Sequence, residues 1–102
     1  METTQVIYTR SFSNFGRLQE AHILQYILTN DPQETLPFGV AIAMLRQNDR
    51  STQFCRALFG WKEDACRLLA FLWENAVDPQ TMPGLIEDLR RADLLPCWKE
   101  EK

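Results

Sequence analysis

One short motif occurs twice in the sequence, and this duplication constrains the possible folds more than any other feature. It reads Asp-Pro-Gln-Glu-Thr-Leu-Pro-Phe-Gly over residues 31–39 and, in a shortened form, Asp-Pro-Gln-Thr-Met-Pro-Gly over residues 78–84. The match extends outward, so that residues 15–49 align with residues 59–93 with a few short gaps. A chain of 102 residues has the size of one domain. We therefore expect a single domain, residues 1–102, that contains two copies of one unit.

Each copy of the unit is predicted to be a helical hairpin. The residue before a proline disfavours the helical conformation, so Asp31–Pro32 would end one helix. Thr35 would then cap the next helix, with Pro37 in its first turn, where a missing N–H costs little. Thr81 and Pro83 are expected to repeat these roles. Apolar residues recur at helical spacing in the predicted helices, which span residues 17–29, 36–47, 52–59, 61–75 and a segment after Thr81.

The predicted helices indicate the fold class. Neither hairpin is large enough to bury its own apolar stripe, so the two are expected to pack against each other. The sequence thus predicts an all-α protein, a compact bundle of five or six helices built from two tandem helical hairpins.

A short extended N-terminal arm over residues 1–14 precedes the hairpins. Its segment Gln5–Phe12 is strand-like, because Val6, Tyr8 and Phe12 fall on alternate positions. One strand cannot form a sheet. We expect the arm either to lie on the helices or to pair with a strand of a partner, which would give a homodimer through the arm.

The predicted pair of hairpins resembles the HEAT-type family of helical hairpin repeats. The likeness rests on Leu28–Pro32 leading into Ala41, Ala43 and Leu45, with Asp78-Pro79 as the counterpart in the second copy. This resemblance implies surfaces that bind other proteins. Two copies are fewer than such solenoids need, so a closed bundle is expected rather than an open solenoid.

A second stretch of the chain resembles the caspase-recruitment domains of antiviral-adaptor type. The residues that carry this likeness are Arg10–Phe15, Ile23–Tyr26 and Pro83–Arg90. It implies six helices and signalling by homotypic assembly, and it is kept as an alternative.

The overall charge disfavours two classes of partner. The net charge is −3 and the pI is about 5.1, so nucleic acid and anionic membranes exert no overall attraction. The longest apolar run, near Val40–Leu45, is too short to span a bilayer. Arg46, Arg50 and Arg56 could form a local basic cluster, but such a group is usually a solvated surface. We expect no membrane partner and consider nucleic acid unfavourable.

Cysteine usage predicts the compartment. Cys55, Cys66 and Cys97 are odd in number and have no Cys-x-x-Cys spacing. Together with the absence of a signal-peptide pattern, this predicts a cytoplasmic protein with reduced thiols.

DNA binding is the alternative function. Residues 52–59, the turn at Gly60 and residues 61–73 could form a helix-turn-helix. The second helix would begin with Trp-Lys-Glu-Asp, which places two carboxylates where phosphate or base contacts are needed.

No catalytic, cofactor or metal-binding pattern is evident. His22 and Cys66 occupy equivalent places in the two copies, so a base and nucleophile pair is conceivable. The competing interpretation is that His22 is a polar residue at the edge of a helix and Cys66 a small core residue. One histidine and scattered cysteines give no ligand spacing, and no glycine-rich phosphate loop is present. We expect a non-enzyme without cofactor or metal.

The sequence therefore predicts a non-catalytic protein–protein interaction module. It would bind another protein through helical faces, as an adaptor, regulatory, immunity or chaperone-type protein. Tryptophan and arginine are enriched in binding hot spots. The candidate partner-binding residues are Trp61, Trp98, Tyr8, Phe12, Arg46 and Arg50.

Overall fold

The computed structural model describes residues 2–13, 21–47 and 49–92, which form an antiparallel sheet with two helices packed on one of its faces. The four strands follow one another in space as they do along the chain. Each joins its neighbour by an antiparallel ladder. The elements are β1 (Thr3–Phe12), β2 (His22–Asn30), β3 (Phe38–Arg46), β4 (Asp49–Phe59), α1 (Lys62–Glu74) and α2 (Met82–Arg91).

The prediction of an all-α bundle of helical hairpins is wrong. Residues 36–47 and 52–59, predicted as helices, lie in β3 and β4, and the described part of the first predicted helix lies in β2. The likenesses to HEAT-type repeats and to caspase-recruitment domains fail with it, because the first copy forms a β-hairpin and the second a pair of helices. The first predicted helix of the helix-turn-helix is part of β4, so that geometry is not formed.

The duplicated motif is a turn motif rather than a fold repeat. In the first copy Asp31 Oδ1 accepts a hydrogen bond from the backbone N–H of Gln33 at 3.2 Å, inside the β2–β3 turn. In the second copy Asp78 Oδ1 accepts from the N–H of Thr81 at 2.8 Å, before α2. In both contexts an aspartate accepts from a nearby backbone N–H, two residues along in the first copy and three residues along in the second. Thr35 caps no helix. Thr81 precedes α2, but its side chain makes no capping hydrogen bond, whereas Pro83 lies in the first turn as expected.

The strand-like pattern at Gln5–Phe12 is confirmed, but this segment is an integral strand rather than an arm. It lies within β1, which pairs with β2 along most of its length, with a bulge between Val6 and Tyr8. The expectation that it is the only strand is wrong. Pairing between strands provides the backbone partners that one isolated strand lacks.

The helix predicted over residues 61–75 is confirmed as α1. Glu63 and Asp64 lie in its first turn, where the helix dipole favours negative charge. Leu68, Leu69 and Leu72 are buried against the sheet, and each contributes about 1.5–3 kcal/mol. No helix in the described part of the chain is long and apolar enough to cross a membrane.

The sheet has two different faces. The face that packs on α1 and α2, here called the helix face, forms the main core. Tyr26 anchors it, because its buried hydroxyl donates a hydrogen bond to the carbonyl of Val77 at 3.0 Å. Fully or nearly buried members of this core are Leu24, Tyr26, Leu28, Val40, Ile42, Leu58 and Phe59 from the sheet and Ala65, Leu68, Leu69, Leu72, Met82 and Ile86 from the helical part. No described helix or strand packs on the opposite face, here called the open face.

Candidate functional site

The strand register aligns the open face into four rows of side chains that cross the sheet. Successive residues of a strand point to opposite faces, so each row takes one residue from each strand. Gly39 is assigned to the same row as Arg56 because the two residues approach each other closely. From one end of the sheet to the other, the rows are Thr4, Thr29, Gly39 and Arg56; Val6, Ile27, Ala41 and Phe54; Thr9, Gln25, Ala43 and Thr52; and Ser11, Ile23, Leu45 and Arg50.

The second of these rows, here called the apolar row, is apolar on all four strands. Ile27 and Ala41 are buried in it, and Phe54 is half-buried. Val6 at its end is 45% exposed, and Ile23 in the fourth row is 39% exposed. The apolar row therefore crosses the sheet from edge to edge with a buried centre, and its exposed large residue is Val6.

The open face is shallow along β3, because the residues that β3 contributes to this face are Gly39, Ala41 and Ala43. The need for glycine at position 39 is steric. A Cβ at this position would collide with the carbonyl of Cys55 and come within 2.8 Å of the Cα of Arg56. The backbone of β4 presses inward here because Ala57 has a left-handed conformation, with φ of 59°. The small residues of β3 are thus buried between the larger side chains of β2 and β4.

An ion pair joins β4 to the residue that precedes β1, at one end of the open face. Arg56 Nε donates a hydrogen bond to Glu2 Oε2 at 2.6 Å. The guanidinium also lies over the ring of Phe54, with Cζ 4.1 Å from its centroid. The hydrogen bond to Glu2 raises the pKa of Arg56 above its ordinary value. Both side chains are partly exposed, so the pair orients Arg56 more than it stabilises the fold.

Two of the predicted partner-binding residues are used inside the molecule. Tyr8 stacks on Trp73 of α1, with ring centroids 5.0 Å apart. Arg10 Nε donates a hydrogen bond to the carbonyl of Trp73 at 3.1 Å. Phe12 stacks on His22, with centroids 4.6 Å apart. These contacts fasten β1 to its neighbours.

The remaining predicted binding residues are dispersed. Trp61 is 63% exposed at the start of α1. Arg46 lies opposite Asp49 at the β3–β4 turn, and Arg50 is exposed in the fourth row of the open face. Arg56 is six residues along β4 from Arg50, about 20 Å away, so the three arginines do not form one cluster. Trp98 lies outside the described residues.

The structure does not bring His22 and Cys66 together as a catalytic pair. Lys62 lies with Asn30 around a small cleft at the far end of β2 from His22. Cys66 is one turn along α1 from Lys62. Within the described residues, no three His, Cys, Asp or Glu side chains are close enough together to hold a metal ion.

A groove of about 470 Å³ opens at the other end of the sheet, next to the fourth row. Its lining residues lie near the ends of β1, β2 and β3, and Ile23 and Leu45 are shared with the open face. The lining residues are Ser11, Phe12, Ala21, His22, Ile23, Leu45, Arg46 and Gln47.

Sequence reasoning missed the open face. A signal for it exists in the small residues Gly39, Ala41 and Ala43, which alternate with the large residues Val40 and Ile42. This period of two is typical of a strand with one shallow face. Comparisons of the chain with protein-family models, with curated proteins and with solved structures find no match.

Proposed function

We propose that this chain acts by binding protein through the open face of its sheet and is not an enzyme. The observation that supports the proposal is the apolar row, which crosses all four strands on a face that no described element covers. Covering exposed Val6 and Ile23 would remove apolar surface from water, worth about 25 cal/mol per Å².

The composition of the open face matches the usual anatomy of a protein interface. Buried Ile27 and Ala41 and half-buried Phe54 form an apolar centre, and Val6 and Ile23 are its exposed large apolar neighbours. Polar threonines, a serine and two arginines surround it. Stable interfaces have such an apolar core with a polar rim. The proposed ligand is therefore a protein surface whose apolar residues contact the exposed Val6 and Ile23.

The proposed binding surface lies on the sheet rather than on the helices. On the helical side, Phe71 of α1 is 40% exposed, and Trp61 is exposed at the start of the same helix. These two residues are isolated aromatics rather than part of a row. Of the six residues predicted from the sequence to bind a partner, Arg50 alone lies on the open face in the described part of the chain.

A cytoplasmic setting remains part of the proposal. Cys55 and Cys66 are free cysteines in the described part of the chain. Free thiols are typical of reducing compartments. Whether the protein serves as an adaptor, a regulatory subunit, an immunity factor or a chaperone stays a prediction.

The experiment compares two matched variants as affinity baits. Val6→Asp places a charge in the apolar row, and Phe71→Asp places one on the exposed side of α1. Each tagged bait is expressed in its native cells, and retained proteins are identified by mass spectrometry. Circular dichroism and thermal unfolding establish that both variants fold.

We expect the wild type and Phe71→Asp to retain the same partner protein, distinct from the chain itself, and Val6→Asp to lose it. Equal retention by both variants, or a loss confined to Phe71→Asp, would overturn the proposal.

A further inference from the structure

We propose that the outer edge of β4 pairs with the same edge of a second copy of this chain. The two strands run antiparallel about a two-fold axis at Thr52, so that the two sheets join into one. A strand at the edge of a sheet carries unpaired N–H and C=O groups that can bind another strand. The inference goes beyond the proposed function, because it uses backbone groups of a strand edge rather than side chains of the open face.

The hydrogen-bond pattern of the sheet identifies the backbone groups of β4 that point outward. The N–H of Asp31 bonds the carbonyl of Pro37 at 2.8 Å, where the ladder between β2 and β3 begins. Hydrogen-bonded pairs alternate along an antiparallel ladder. The odd-numbered residues of β3 therefore bond β2, and its even-numbered residues bond β4. The residues of β4 left with outward N–H and C=O groups are Arg50, Thr52 and Phe54.

This part of the β4 edge is accessible. Residues 49–51 and Gln53 are exposed, whereas Leu58 and Phe59, further along the strand, are buried in the core. In the part of the chain that the structure describes, no strand pairs with the outer side of β4. The left-handed conformation of Ala57 interrupts the strand, so the regular edge ends near Cys55.

The edge on the opposite side of the sheet, β1, is less suitable for pairing. By the same alternation, Thr9 of β1 directs its backbone groups outward. Its carbonyl already accepts a hydrogen bond from the indole Nε1 of Trp73 at 3.3 Å. The bulge between Val6 and Tyr8 interrupts the same edge. Bulges and covering side chains are common ways to block an edge strand. The inference thus places the homodimer on β4 rather than on the N-terminal segment.

One antiparallel register matches all three outward residues with one another. Thr52 then faces Thr52 of the second copy on the two-fold axis, and Arg50 faces Phe54 on either side of it. The three pairs would form about six backbone hydrogen bonds. On the other side of the joined sheet, exposed Ser51 faces exposed Gln53. Paired threonines on neighbouring strands are favourable, and no like charges face each other in this stretch.

The neighbouring registers, shifted by two residues, match less well. One pairs Arg50 with Thr52 and leaves Phe54 without a partner among the three outward residues. The other places Arg50 opposite Arg56, and like charges directly opposite each other are unfavourable. Hydrogen bonding and charge therefore select the register centred on Thr52.

The first test is the mass of the purified chain in solution. Sedimentation equilibrium over a range of concentrations should show a reversible change from the 11.9 kDa chain to twice that mass. Thr52→Lys places two positive charges opposite each other on the axis and should raise the dissociation constant of the dimer at least about tenfold. Thr4→Lys makes the same replacement at an outward position of β1 and should dimerise like the wild type.

Three results of this measurement would overturn the inference. They are a wild type that stays monomeric at every concentration, a folded Thr52→Lys that dimerises as well as the wild type, and an equal loss with both lysine variants. Circular dichroism and thermal unfolding establish that the variants fold.

The second test fixes the register. Thr52→Cys and Ser51→Cys are made separately in a background with Cys55, Cys66 and Cys97 replaced by alanine. The proposed axis brings the two copies of residue 52 to a Cα separation of about 5.5 Å, within the range of a disulfide. The two copies of residue 51 would lie about 8 Å apart, beyond that range. Mild oxidation should therefore give a disulfide-linked dimer of Thr52→Cys and little of Ser51→Cys. The reverse result would contradict the proposed arrangement.

Discussion

The indole Nε1 of Trp73 donates a hydrogen bond to the backbone carbonyl of Thr9 at 3.3 Å. It joins α1 to β1, residues 64 positions apart in sequence. The same indole stacks on Tyr8, and the guanidinium of Arg10 lies 5.5 Å from its ring centroid. A single side chain thus fastens the first strand to the helix layer, and the open face depends on β1 being held in register.

Replacing this tryptophan should loosen β1 in two steps. Trp73→Phe keeps a ring but removes the hydrogen bond, so the free energy of unfolding should fall by about 1 kcal/mol. Trp73→Ala also removes the stacking and should cost more, about 2–4 kcal/mol. Urea denaturation measures both values. Phe71→Ala, on the exposed side of α1, is the control and should change stability little; an equal loss there would contradict the role given to Trp73.

Tyr26 should make stability depend on pH in the alkaline range. Burial raises the pKa of Tyr26 to about 12, whereas the unfolded chain releases this proton near pH 10. The neutral phenol is therefore favoured in the folded state, and its contribution is complete below pH 10 and is lost as the pH rises toward 12. The free energy of unfolding of the wild type should fall across this range.

Tyr26→Phe is the matched variant for that measurement. At neutral pH it should be less stable by about 1 kcal/mol, because the carbonyl of Val77 loses its donor. Its alkaline loss of stability should be smaller than that of the wild type. Parallel pH profiles for the two proteins would show that Tyr26 does not cause the effect.

Replacing either of two glycines with alanine should change the stability of the fold, in opposite directions at the two positions. Gly39→Ala forces a Cβ against the carbonyl of Cys55, which is backbone and cannot rotate away, so stability should fall by about 1–3 kcal/mol or more. Gly84 lies in α2, where an added Cβ would meet no heavy atom of the described residues within 4 Å, so Gly84→Ala should stabilise by up to about 1 kcal/mol. Thermal unfolding compares them, and a well-tolerated Gly39→Ala would refute the close approach of β3 and β4.

The end of α1 offers a stabilising substitution. Ala76 has a φ of 50°, in the left-handed region that favours glycine. The N–H of Val77 bonds the carbonyl of Leu72 at 3.0 Å, and the N–H of Ala76 bonds that of Trp73 at 3.2 Å. These are the two bonds of a Schellman motif. Ala76→Gly should therefore raise the free energy of unfolding by about 1 kcal/mol, measured by urea denaturation, and a loss of stability would contradict it.

The two halves of the chain differed in how well the sequence predicted them. Residues 61–75 were predicted as a helix because apolar residues recur on one side only, and α1 buries that side. In β2, by contrast, Tyr26 and Leu28 face the core while Ile27 and Thr29 are buried on the open face. A strand buried on both faces reads as a continuous apolar run, and such a run fits a helix equally well.

The open face could not be read from local sequence for a further reason. The apolar row joins Val6, Ile27, Ala41 and Phe54, which are spread over 49 positions of the chain. Only the pairing register places them side by side. Similarly, the second Asp-Pro motif looked like a repeat of the first because in both an aspartate and a proline begin a local turn. Packing elsewhere in the chain decides whether a strand or a helix comes after each turn.

The most direct measurement of the central claim is the comparison of Val6→Asp with Phe71→Asp as baits. Both replace an exposed apolar residue with the same charge, one on the open face and one on α1. We expect the partner protein retained by the wild type to be lost with Val6→Asp and kept with Phe71→Asp. Undiminished retention by a folded Val6→Asp would contradict a binding role for the open face.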